Sequence, residues 1–109
     1  MDEFQVDPQM RAANARNEEI LRALGTPPPG IEGARQQAAL ARQWWNEGGP
    51  SVAQVRNAVV PGPFREIPVR LYVARQQPAP LPAFVYFHGG GWRVGSPASN
   101  DRQLRELAN

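Results

Sequence analysis

The sequence has no cysteine, no lysine and a single histidine, His88. Without cysteine, disulfides and thiolate metal sites are excluded, and the redox compartment is left undecided. Without lysine, a phosphate-binding P-loop is excluded, because its Gly-Lys-Ser/Thr sequence sets an amine on the phosphates. A metal centre built on His88 would need nitrogen or sulfur partners, and the chain holds no second histidine. No cofactor and no metal is therefore expected. Long apolar runs are also missing: nothing approaches the ~18 residues of a membrane span. The N-terminus "MDEFQVDPQM" lacks the apolar segment of a signal peptide. A cytoplasmic location is the default expectation. All 12 basic residues are arginines, scattered with no run, for a formal charge of +2. A nucleic-acid partner would require clustering on one face, so none is expected.

What is present is enough for a folded chain. Hydrophobic residues make up 41% of the 109, and that length suits one small domain or part of a larger one. The prolines and glycines gather at junctions between patterned segments.

Residues 8–24 read as a helix. Asp7 is a good N-cap, and Pro8 takes the first helical position, where its missing N–H costs nothing. Met10, Ala13, Ile20, Leu21 and Leu24 fall on one side, with Asn17 interrupting the stripe. Gly25 and "TPPPG" end it. Residues 31–47 read as a second helix, with a looser apolar side of Ala34, Ala38, Ala41, Trp44 and Trp45. Gly33 weakens its first turn by up to ~1 kcal/mol relative to alanine. The paired tryptophans are expected to pack in a core, or one of them to line an apolar pocket.

From Val52 the period changes. "VRNAVVPGP" and "EIPVRLYVA" form a β-hairpin joined through Pro61–Arg65, with Ile67, Val69, Leu71 and Val73 on one buried face. Pro68 cannot donate to a ladder and requires an open edge or a strand start. "AFVYF", Ala83–Phe87, is apolar on both faces and reads as an inner strand of a covered sheet. A further helix starts near "SNDRQLRELAN", capped by Ser99 or Asn100. An inner strand needs neighbours, so residues 1–109 read as the N-terminal portion of a larger α/β protein rather than a self-sufficient domain.

Directly after the inner strand comes "HGGGW". Glycines at the carboxyl end of a strand bring bare backbone to the edge where ligands bind in open α/β folds. They permit positive φ, and successive N–H groups can converge on one anionic oxygen. An oxyanion of acyl transfer is such an oxygen, and one donor to it is worth ~3–4 kcal/mol. Other uses fit less well. A dinucleotide fingerprint needs G-x-G-x-x-G, and Gly95 lies one residue too far. A turn that only reverses the chain remains open. So does a Ser96–His88 dyad oriented by Asp101, although Ser96-Pro97 reads as a turn.

"VYFHGGGW" followed by "GS" and "LRELAN", with "VPGPFREIPVRLY" and "VDPQMR" upstream, resembles the hormone-sensitive-lipase-like family of α/β-hydrolases, esterases and lipases with a His-Gly-Gly-Gly oxyanion loop. The resemblance covers nearly the whole chain. It implies a helical cap segment over residues 1–50 and the beginning of the catalytic domain over 51–109. It implies that Gly90 and Gly91 donate N–H groups to the oxyanion, that Gly89 shapes the turn, and that His88 supports the loop without acting as base. Trp92 would pack beneath the loop or beside the pocket. The implied partners are a small-molecule ester, the remainder of the hydrolase domain and, for the full-length enzyme, a second copy as homodimer. The implied chemistry is serine acyl transfer through an acyl-enzyme. The departures are clear: Ala98 and Asn100 stand where the family often has aspartate and histidine, and no G-x-S-x-G occurs around Ser51, Ser96 or Ser99. Nucleophile, acid and base are absent from these residues. The alternative is a non-catalytic vestigial or binding module.

Overall fold

A computed structural model describes residues 5–109. The first four residues of the expected cap segment lie outside the described residues. The elements run α1 (Pro8–Leu24), α2 (Gly30–Gln43), a 3-10 turn (Trp44–Asn46), β1 (Gln54–Pro61), β2 (Glu66–Val73) and α3 (Asp101–Ala108). Helices and an antiparallel pair in this order are compatible with part of an α/β fold.

Local chemistry sets the helix ends. The Asp7 carboxylate accepts the Gln9 N–H at 2.8 Å, and the Gly25 N–H returns to the Leu21 carbonyl at 3.2 Å. The second helix ends earlier than the expected 47, because the chain tightens into the 3-10 turn at Trp44. Gly33 does more than weaken a helix. It is the one buried residue of α2, and a Cβ there would strike the backbone carbonyl of Pro28. The "PPP" segment folds back onto the helix at a point only glycine leaves clear.

β1 and β2 pair antiparallel from Gln54↔Val73 to Pro61↔Glu66. Among the described residues β2 has no second neighbour, and its open edge meets the requirement of Pro68. The expected single buried face is not found. On the expected face Ile67 and Leu71 are exposed and only Val69 and Val73 are half-buried, and Arg70 and Tyr72 on the other face are half-buried as well. α3 packs on that second face.

The expected inner strand is also corrected. Ala83–Phe87 pairs with nothing among the described residues, and Phe84, Val85 and Phe87 are 77%, 72% and 88% exposed. A strand requires partner backbone as well as apolar side chains, and none lies beside it. No apolar side chain among the described residues is fully buried. The accessible surface is 9216 Å² for 12.0 kDa, well above the roughly 6,000 Å² of a compact chain of that mass.

Contacts distant in sequence therefore fix the arrangement through polar groups. Asn46 donates to the carbonyls of Ala98 and Ser99 at 3.3 and 3.2 Å and accepts the Arg102 N–H at 3.2 Å. It thereby caps α3 from another part of the chain. The expected local caps are otherwise occupied: Asn100 holds the N-cap position but bonds Gln103, and Ser99 Oγ accepts the Ser96 N–H. No described helix is long and apolar enough to cross a membrane.

Candidate functional site

The glycine loop leaves the unpaired Ala83–Phe87 segment and turns sharply. Gly90, Gly91 and Trp92 take φ values of 140°, 59° and 58°. The N–H groups of Arg93 and Val94 both close onto the Gly90 carbonyl at 3.1 Å. A side chain at Gly90 would collide with the Val94 carbonyl. Trp92 is a bulky residue in the left-handed region, a conformation costing of order 1–3 kcal/mol. It stands fully exposed at the tip, packed neither beneath the loop nor into the adjoining cleft. No acceptor among the described residues meets the N–H of Gly89, Gly90 or Gly91.

Two side chains hold the loop. His88 Nδ1 lies 2.9 Å from the Gly89 carbonyl. That oxygen can only accept, so the bond requires the proton on Nδ1. The same ring lies against Gly95. From α2, Arg35 Nε donates to the Arg93 carbonyl at 2.9 Å, and its Nη1 pairs with Glu32 at 2.8 Å.

Beside the loop, α1 and α2 wall an open cleft of about 510 Å³, within the usual range for small-ligand sites. Ala38, Ala41, Arg42 and Trp45 of the α2 side follow i, i+3, i+4, i+7 spacing, and α1 contributes Asn14, Asn17 and Leu21. Gly89, Gly90 and Gly95 form the facing wall. The paired tryptophans thus divide. Trp45 lines the cleft, while Trp44 meets it edge-on at 4.8 Å and carries the Arg16 guanidinium 4.5 Å above its ring.

Next to Asn100 in the chain, Asp101 gathers the hairpin and α3. Its carboxylate accepts Tyr72 Oη at 2.8 Å and Arg70 at 3.3 Å on one oxygen, and Arg105 at 2.8 Å on the other. Burial opposes its charge, but hydrogen bonds from Arg105 and Tyr72 and the two guanidinium charges outweigh this and hold the carboxyl below its ordinary range. Burial, then the bond to Asp101, pushes the Tyr72 phenol up. The Ser96–His88–Asp101 arrangement is not assembled. Ser96 Oγ accepts the Ala98 N–H, and Asp101 is committed to the hairpin. No cluster of metal-ligating side chains occurs among the described residues.

Sequence reading passed over Arg35, Asn46 and Arg42. Arg42 was legible in principle, since it shares the helical spacing of Ala38, Ala41 and Trp45. Asn46 carried no local signal, because its partners lie more than fifty residues away.

No family model matches the chain. Salmonella proteins named acetyl esterase are similar to it, three of them as follows. That of Salmonella paratyphi B is 40% identical over 78 residues, 72% of this chain. Those of Salmonella paratyphi A and Salmonella agona are each 38% identical over the same length. The chain spans 23% of each relative's own length. Over 72% of its length, this chain is similar in sequence to proteins named acetyl esterase.

Proposed function

We propose that the chain supplies the oxyanion-binding loop and one wall of the substrate cleft of a serine carboxylesterase with an α/β-hydrolase fold, acting on short-chain esters such as acetates. The observation that carries this reading is the pair Gly90–Gly91, with positive φ and N–H groups that no described acceptor meets, beside a cleft of ligand size. A serine Oγ attacks the ester carbonyl, and the oxygen that gains the electron pair is received by the two N–H groups. The alkoxide then leaves with a proton, and water releases the acid from the acyl-enzyme. The serine, its base and its acid belong to the remainder of the hydrolase domain, which this reading makes the obligate partner. Ala83–Phe87 is the strand that partner would pair, and residues up to about 50 form the cap.

The test is reconstitution. The isolated chain should not turn over p-nitrophenyl acetate or butyrate. Combined with the serine-bearing remainder of a related acetyl esterase, it should. Gly90→Ala should then lower kcat by about 10²–10³ with little change in KM. Serine-dependent turnover by the chain alone, or indifference to Gly90→Ala, would sink the proposal. The exposed row Phe84, Val85 and Phe87 also suits a non-catalytic binding module, which predicts that indifference.

A further inference from the structure

The walls of the cleft are not uniformly apolar, and their charge is one-sided. Arg42 is the single charged side chain among the residues that line it. No carboxylate faces it there. Among the described residues, Arg42 is one of seven arginines with no acidic partner, and the one of those seven that lines the cleft. Asn14, Asn17 and Asn100 add amide groups to the same walls. Ala38 and Ala41 line the cleft on the same side of α2 as Arg42. The interruption of the α1 stripe at Asn17 falls on the same cleft, since that side of the helix meets an open cleft and not a closed core.

Unpaired N–H groups on the glycine wall and a guanidinium on the α2 wall both favour negative charge, but at different places. The first suits charge that develops at a reacting carbonyl. The second suits charge that the ligand already carries, and a guanidinium holds carboxylate in a two-point fork. We infer that Arg42 is a specificity-determining residue and that the cleft prefers esters bearing a free carboxylate on the acyl or alcohol part, the half-esters of dicarboxylic acids being the simplest class. This inference rests on the esterase reading for the identity of the reacting group, but it is read from binding alone.

The experiment uses the 109-residue chain, labelled with ¹⁵N and titrated with monomethyl succinate or with dimethyl succinate, its neutral counterpart. The half-ester should shift the Trp45 indole and the Gly89 and Gly90 amides, and bind about fivefold more tightly than the diester, the upper range for a solvent-accessible ion pair. Added salt should shrink that ratio. Arg42→Gln should bring it to about one, and Arg42→Lys should keep part of it. Far-UV circular dichroism shows that each variant retains its helices. Equal binding of the two esters, a preference that survives Arg42→Gln, or no shifts with either ester would overturn the inference. A failed reconstitution assay with the preference intact would instead count against the esterase reading and leave an anion-preferring cleft.

Discussion

β2 and Ala83–Phe87 are built from the same kinds of residue, and their fates differ. "IPVRLYV" is a paired strand whose far face is tied to α3. "AFVYF" is more apolar, yet it runs unpaired with its rings in solvent. Apolar composition is therefore not what orders a segment in this molecule. β2 has β1 beside it through a four-residue connection, and it carries Arg70 and Tyr72, which reach Asp101. Ala83–Phe87 has neither a neighbouring strand nor a polar tie.

The largest effect should come from cutting that tie. Asp101→Ala strands Tyr72, Arg70 and Arg105 at a site where the carboxylate is only 22% exposed. The loss should be about 2–3 kcal/mol in local opening. Amide exchange in α3 and β2 should then accelerate roughly 30- to 150-fold, while exchange in Ala83–Phe87 stays as it was. If both segments accelerate together, they form one unit and the contrast fails.

Gly33→Ala should follow in size. The new methyl must displace the Pro28 carbonyl, for a net cost of about 1–2 kcal/mol after the gain in helix propensity. It should appear as faster exchange in the first turn of α2.

A smaller effect separates the regions by pH. The folded Asp101 carboxyl lies below its ordinary value, so it binds protons less tightly folded than unfolded. Its contribution is full above the unfolded value and is lost as pH falls through the folded one, below about pH 4. Tyr72, pushed up, acts in the opposite sense: its contribution is present below the unfolded value and fades as pH rises above about 10. Protection of α3 followed by exchange through the acid range should show this step, and Asp101→Asn should remove it.

The smallest effect should be that of Phe84→Ser, within about 0.5 kcal/mol because the ring is already in solvent. A loss above about 1 kcal/mol would mean that the ring is packed and that the two segments are alike after all.

The same contrast explains how much was legible in the residues. Both ends of α1 were, because Asp7, Pro8 and Gly25 act within one turn of the backbone they terminate. The hairpin was, because its strands are neighbours in sequence. The glycine loop was found as a motif, but its neighbours were not. Arg35 reaches it from α2, and Asn46 caps α3 across more than fifty residues. Nothing in the sequence around either residue marks such a partner.

The sequence by itself therefore determined the helices, the hairpin and the place where backbone is laid bare, since each depends on dihedral preference and hydrogen bonds spanning a few residues. Tertiary structure alone decided that Arg70 and Tyr72 are drawn to α3, that Gly33 must be glycine, that Trp45 and Arg42 share a cleft with Gly90, and that the most apolar segment stays unpaired. Pairing and burial are properties of two surfaces together, and a single run of residues specifies only one of them.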